Sequence, residues 1–307
     1  MRDKLFAKLP ERFVQNTIDL HREKGEQWLD DLPHLIGEIR ENWSLTVEKS
    51  FPNLSYHFVA PCVLRENGTR AVLKIGFPEP DSIVFSEAKM LGHFDGNGAV
   101  KLLQFDENRC SLLLERLLPG EDLTELCQKN DGQATAIATD IMRKIWDVPF
   151  KSNDFPDLEK WTASFRQAEN TNFSQRHFET TREFFDELIN SSEQRSLHGD
   201  LHHQNILSAE REPYLAIDPK GIIGDIGFEI AVFLNNPRGW ILSHPNRRQI
   251  LEKRIEQFSR AFEIEPLELR KWAYAEAILS AWWTFEDGGA DWAKWLACAD
   301  VWAAEGF

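Results

Sequence analysis

The chain has 307 residues, 42% of them apolar. That is enough for a sizeable core arranged as one two-lobed domain or two domains. Its net charge of -15 at pH 7 argues against non-specific nucleic-acid binding, and it fits a cationic small partner as well as an ordinary acidic protein. Cys62, Cys110, Cys127 and Cys298 form no C-x-x-C pair, so neither zinc nor a disulfide framework is expected, and a reducing cytoplasm is the expected compartment. The first residues lack the apolar run of a secretion signal, and no apolar stretch reaches the length of about 18 residues that reads as a membrane span.

Residues 10–42 read as helical. Phe13, Ile18, Leu20, Trp28, Leu32, Leu35, Ile36 and Ile39 recur at helical spacing among charges, with Gly25 and Pro33 as expected breaks or bends. From residue 44 the period shortens. Leu45–Val47, Tyr56–Val59, Cys62–Leu64 and Ala71–Ile75 predict strands, with Asn67-Gly68 as a turn. A helix is expected over 82–94, then strands over 100–105 and 111–115 around the turn Asp106–Arg109. Beyond Gly120 the pattern is mainly helical, over 122–148, about 157–169 and 174–191. A further helix opens at Gly224-Asp225, and residues 247–305 read as helical. Six tryptophans (Trp272, Trp282, Trp283, Trp292, Trp295 and Trp302) lie in that last segment, most of them expected in the core.

Residues 197–221 hold the densest chemistry. Ile206-Leu207 and Tyr214–Ile217 predict a small β-hairpin with a loop before it and a loop after it. Such a hairpin can bring Asp200, Asn205 and Asp218 together. Two carboxylates and an amide oxygen are hard donors, suited to Mg²⁺ and to a hydroxyl nucleophile rather than to zinc. Taken singly, each of these residues also reads as a cap in a polar turn.

Taken in order, His198, Asp200, Leu201 and Asn205 fall on the H-x-D-L-x-x-x-N pattern of the protein-kinase catalytic loop, and Asp218 follows in the place of the second metal-holding Asp. His198-Gly199-Asp200 and Asp218-Pro219-Lys220-Gly221 resemble phosphotransferases of the aminoglycoside type more than protein kinases. The chain most resembles the streptomycin 6-kinase and hydroxyurea-resistance kinase family, over roughly residues 50–290.

The resemblance implies an α+β, two-lobed protein-kinase-like fold. Residues 1–116 would form N-terminal helices and a small antiparallel β lobe. Residues 117–307 would form a larger, mainly helical lobe with the catalytic and metal loops and the acceptor site, ATP and Mg²⁺ lying between the lobes. Asp200 would accept or orient the acceptor hydroxyl, and Asn205 and Asp218 would hold Mg²⁺. Ala71-Val72-Leu73-Lys74 resembles the kinase V-A-I-K strand, so Lys74 would bind nucleotide phosphates, aimed by Glu87. Backbone groups from Glu115 to Leu117 would recognise the adenine edge. No G-x-G-x-x-G precedes Lys74. The candidate phosphate loop, Ser55 to Pro61, has no glycine, which leaves Ser55 and the loop backbone as the phosphate contacts.

His198 is expected to support its loop, Lys220 to touch the transferred phosphate or lie at the surface, and Asp225 and Glu229 to be structural, one of them bracing the catalytic loop. His202 and His203 have no assigned role. Trp283-Thr284-Phe285-Glu286-Asp287-Gly288 resembles the W-x-x-E-D-G stretch of the family, so Trp283, Glu286 and Asp287 are candidates for holding a cationic acceptor, against the alternative of a capped helix end. The implied reaction moves the γ-phosphoryl group of ATP to a hydroxyl of an aminoglycoside such as streptomycin, or of hydroxyurea. The alternatives are a kinase of an ordinary metabolite and a nucleotide-binding module without turnover. No nucleic-acid or membrane partner is implied.

Overall fold

The computed structural model describes residues 9–80, 82–151, 155–168, 173–189, 194–289 and 291–306. The chain divides into two compact units: residues up to Gly96 together with Val100–Leu118, and Asn97–Ala99 together with Pro119 onward.

The first unit opens with two helices, α1 (Glu11–His21) and α2 (Glu23–Asn42). The break falls at Arg22, whose φ is 54°, and not at Gly25 or Pro33, where the sequence suggested it. Pro33 lies inside α2 on an exposed position, where its missing N–H and the carbonyl it frees can face water. Five antiparallel strands follow: β1 (Leu45–Val47), β2 (Phe58–Leu64), β3 (Arg70–Ile75), β4 (Leu102–Asp106) and β5 (Ser111–Glu115), ordered β1-β2-β3-β5-β4. β2 joins two pieces expected to be separate. Pro61 is tolerated inside it because the β1 ladder stops one residue earlier, at Val47 opposite Cys62. Helix α3 (Ile83–Phe94) lies between β3 and β4 in the chain.

Alternation along β3 sets the two faces. Ala71, Leu73 and Ile75 join the core built with Phe13, Trp28, Leu32, Ile36 and Ile39 of α1 and α2. Val72 and Lys74 therefore point to the opposite face.

The second unit is mainly helical. The stretch expected as one helix over 122–148 is two, α4 (Thr124–Lys129) and α5 (Asp131–Trp146), because the Asn130 side chain accepts a hydrogen bond from Gln133 N and starts a new helix. Likewise 157–169 divides at Thr162 into α6 (Leu158–Trp161) and α7 (Ala163–Gln167), followed by α8 (Gln175–Leu188). Two short antiparallel pairs come next. The outer one joins β6 (Gln194–Leu197) to β9 (Ile222–Asp225), and the inner one joins β7 (Ile206–Ser208) to β8 (Tyr214–Ala216).

Five helices complete the chain: α9 (Ile226–Leu234), α10 (Arg238–Ser243), α11 (Arg247–Phe262), α12 (Pro266–Glu286) and α13 (Trp292–Glu305). The expected helical run over 247–305 is thus three helices, the first ending at Glu263 in the left-handed region. α12 is the central one. It is buried on nearly every side, from Leu269 through Trp282, and packs on α8, α9, α11 and α13. Its approach to α9 depends on Gly227, where a Cβ would meet the Trp272 ring at 2.2 Å. Among the described residues no helix is long and apolar enough to cross a membrane, and the four cysteines are free and buried.

Candidate active site

In the first unit, Lys74 of β3 and Glu87 of α3 are both buried, with Lys74 Nζ 2.6 Å from Glu87 Oε2. Burying two charges is tolerable only when each meets an opposite charge at close range. The pair fixes the ammonium on the sheet face opposite the main core.

Ser55 lies in the β1–β2 loop, and its carbonyl accepts a hydrogen bond from Asn16 Nδ2 at 3.0 Å. The loop expected over Ser55 to Pro61 is placed differently. Phe58–Pro61 belong to β2, so the connection runs over residues 48–57. At the end of β5, Glu115 N donates to Lys101 O and its carboxylate accepts from Lys101 N. The Glu115 N–H is therefore committed to Lys101, the residue just before β4.

In the second unit the two strand pairs form nested hairpins. The chain leaves β6, makes loop 198–205, turns through β7 and β8, makes loop 217–221 and returns along β9 beside its starting point. Both loops are thereby anchored at both ends on paired backbone. They are also tied to each other. Asn205 Nδ2 donates to Asp200 O at 2.9 Å, Ile217 N donates to Asn205 O at 2.9 Å, and Lys220 N donates to His198 O at 2.7 Å. The Asn205 amide nitrogen is thus occupied, and its oxygen is the atom that can face a cation. Asp218 has φ 61°, a left-handed conformation that non-glycine residues rarely adopt and that marks a position held by its surroundings. Gly199, at φ 82°, supplies the turn into Asp200.

The Asp200 carboxylate has the His202 Nε2 atom 3.6 Å from one oxygen and Lys220 Nζ 3.7 Å from the other. His198 is fully buried. Its Nε2 donates to Ile217 O at 2.8 Å and its Nδ1 accepts from Asp200 N at 3.2 Å, which fixes a neutral tautomer. Burial pushes its pKa down to about 4, against the opposing pull of Asp200. His198 therefore bridges the two loops as a neutral strut.

Of the two acids expected to be structural, Glu229 of α9 is the one that braces loop 198–205. Its carboxylate accepts from His198 N at 3.1 Å, Gly199 N at 2.7 Å and the Trp146 indole at 3.2 Å. Burial raises its pKa to about 7, offset by the backbone donors and the indole. Asp225 caps α9, its Oδ1 accepting from Gly227 N at 2.7 Å. Trp283 packs edge-on against Trp161. Glu286 and Asp287 are exposed at the end of α12, where Glu286 Oε2 accepts from Ser164 Oγ.

Sequence reasoning passed over Glu276. It is buried in α12, where it accepts from Asn235 Nδ2 and Ser280 Oγ. Burial raises its pKa to about 7, and the Asp200 carboxylate adds to the shift. The signal was a lone acid in the apolar run Ala273-Tyr274-Ala275-Glu276-Ala277-Ile278-Leu279. Arg254 was also missed, for want of any local pattern around it.

Among curated proteins, the chain is 27% identical to the streptomycin 6-kinase of Streptomyces glaucescens, covering 92% of this chain and 93% of that protein. It is 28% identical to the hydroxyurea phosphotransferase of Kitasatospora aureofaciens, covering 92% and 82%. Among solved structures it is similar to aminoglycoside phosphotransferase APH(4)-Ia, with a TM-score of 0.65 over 89% of this chain and 99% of that one at 13% identity. That likeness bears on the fold, and the α+β, kinase-like class expected from the sequence holds. The family model described as aminoglycoside/hydroxyurea antibiotic resistance kinase matches residues 46–288, and the chain belongs to that family.

Proposed function

We propose that the protein moves the γ-phosphoryl group of ATP to a hydroxyl of an aminoglycoside such as streptomycin, or of hydroxyurea, in a Mg²⁺-dependent reaction that inactivates the acceptor. The observation that carries this reading is the nested hairpin, which ties Asp200, Asn205 and Asp218 into one assembly.

Asp200 takes the proton of the acceptor hydroxyl as that oxygen attacks the γ-phosphorus. The bond to the β–γ bridging oxygen breaks and ADP leaves. Lys220 stands 3.7 Å from Asp200 and can follow the charge that develops on the transferred group. Lys74, held by Glu87, binds the nucleotide phosphates, with the Ser55 loop as a further contact. The Glu115 carbonyl and Leu117 backbone offer groups for the adenine edge. The fit to Mg²⁺ rests on the donor set: the Asn205 amide is turned with its nitrogen on Asp200 O, and Asp218 is held in a left-handed backbone conformation. Both side chains offer hard oxygens. The ion would supply charge neutralisation on the phosphates. Most of the rate would come from positioning and electrostatics, as is general for phosphoryl transfer.

Trp283, Glu286 and Asp287 are the acceptor residues of this reading. An aromatic edge beside two exposed carboxylates can take a guanidinium or ammonium group. The test is ATP consumption with Mg²⁺ against streptomycin, other aminoglycosides and hydroxyurea, using wild type and the doubly neutralised Glu286→Gln, Asp287→Asn protein. The expected result is stimulation by an acceptor of these classes, with the double variant raising KM for a cationic acceptor about tenfold at unchanged kcat. Absence of stimulation by any acceptor would remove the proposal.

A further inference from the structure

Cys127 of α4, Asp131 of α5 and His203 of the catalytic loop bring one ligating atom each to within 4.8 Å of one another. By composition this is a metal cluster, but a guanidinium already occupies it. Arg254 of α11 is fully buried. Its Nε and Nη2 donate to the Asp131 carboxylate at 3.0 and 2.6 Å. Nη2 also lies 3.3 Å from Cys127 Sγ and 3.3 Å from His203 Nε2. Nη1 donates to the carbonyls of Phe233, Leu234 and Asn236, the last at 2.6 Å. The positive charge that three ligands would ask of an ion is thus supplied covalently, and the guanidinium fork reaches contacts a bare ion could not satisfy.

His203 is the contact that leads to chemistry. A guanidinium can only donate, so Nε2 must accept and the ring is neutral, protonated on Nδ1. That Nδ1 is buried with no hydrogen-bond partner among the described residues. The ring lies flat on Phe233, with centroids 4.0 Å apart. Its backbone carbonyl accepts from Leu123 N, and its residue opens the short turn His203–Asn205 that ends on the cation-facing amide. Leaving a polar N–H unsatisfied is tolerated only where another requirement fixes the ring.

We propose that Arg254 is a positioning residue for the catalytic loop: through His203 it fixes the turn that presents Asn205 and, through the Asn205 amide, Asp200. It takes the place of a structural metal and joins four elements that share no strand pairing: α4, α5, the end of α9 and the loop. The proposal rests on the phosphotransferase reading for its link to turnover, whereas its link to loop order does not.

The experiment uses the full chain, comparing wild type with Arg254→Ala, Arg254→Lys, His203→Ala and the Arg254→Ala, His203→Ala double variant. Amide hydrogen exchange is followed over residues 198–208, and kcat and KM for ATP are measured in parallel. Arg254→Ala should speed exchange in that segment by about tenfold or more while Lys74 and its strand are unchanged. It should lower kcat about 10- to 100-fold with KM for ATP within about threefold.

Added guanidinium should restore part of both the protection and kcat in the alanine variant while leaving wild type as it was. His203→Ala, which keeps the Arg254–Asp131 pair, should loosen the same segment, and the double variant should lose less than the product of the single losses. If Arg254→Ala does not fold, Arg254→Lys and His203→Ala carry the same comparison. Unchanged loop exchange in the folded variants would overturn the proposal. So would a fall in kcat that guanidinium leaves untouched and that tracks loss of folded protein. An inactive wild type would count against the phosphotransferase reading alone, because exchange reports on the loop without turnover.

Discussion

Lys74 and Lys220 show how differently two lysines can be held. Lys74 is buried against Glu87 at 2.6 Å, so removing it strands a carboxylate in the interior. Lys74→Met should lower stability by about 3 kcal/mol as well as weaken nucleotide binding, and denaturant melts with ATP titrations would show both losses together. Lys220 is partly exposed and 3.7 Å from Asp200. Such a pair adds about 0–1 kcal/mol to stability. Lys220→Met should therefore leave the unfolding midpoint nearly unchanged while lowering kcat about tenfold or more. A midpoint shift as large as that of Lys74→Met would show that Lys220 is structural.

At the level of elements, the two loops are organised by strand pairing outside them. The inner hairpin was legible, because Ile206-Leu207 and Tyr214–Ala216 are apolar and flank a polar turn. The outer pair was not. Gln194-Arg195-Ser196 carries no strand pattern, and its partner Ile222–Asp225 ends on Gly224-Asp225, which read as the opening of a helix. Its stability comes from Leu197 and Ile222 buried opposite each other, a tertiary contact that no local window contains. Helix breaks were misjudged for a related reason. Arg22 in a left-handed conformation and the Asn130 cap ended helices, whereas Pro33 did not, being on a wet face. The tie between the loops that carry His198, Asp200, Asn205 and Asp218 was legible because these residues lie on either side of the inner hairpin. Glu276 and Arg254 were not, because their partners come from distant segments.

Gly199 is the element-scale test. At φ 82°, with the Lys220 Cβ 3.3 Å from where its own Cβ would stand, an alanine is strained. Gly199→Ala should lower stability by about 1–2 kcal/mol and kcat by more than that loss of folded protein explains, since the strain falls beside Asp200. Equal kcat per folded molecule would contradict this.

Across the whole molecule, buried carboxyls shape the pH response. The Glu229 pKa is about 7 in the fold against an ordinary 4.5. Between those values the native state holds a proton that the unfolded chain has lost. Its contribution therefore falls as pH rises from 4.5 to about 7 and is constant above, a change on the order of 3 kcal/mol. Glu229→Gln lacks this proton, so its unfolding free energy relative to wild type should improve as pH rises through that window. A difference independent of pH would show that Glu229 is ionised throughout. His198, with its pKa pushed down to about 4, acts in the opposite sense: its contribution is full above 6.5 and is lost as pH falls toward 4. The two largely offset each other between 4.5 and 6.5.

The net charge of -15 bears on the acceptor at the same scale. A negative field draws in a cationic antibiotic and does nothing for neutral hydroxyurea, so kcat/KM for the former should fall with salt and for the latter should not. Identical salt dependence for both would remove the electrostatic argument.

The most direct test of the account is single-turnover transfer of the γ-phosphoryl group from labelled ATP, with Mg²⁺, to streptomycin or hydroxyurea by wild type and by Asp200→Asn. The account predicts a phosphorylated acceptor with wild type and a rate lower by about 10²- to 10⁴-fold in the variant, with nucleotide binding retained. A variant that transfers phosphate as fast as wild type would contradict the assignment of Asp200 and of the loop built to hold it.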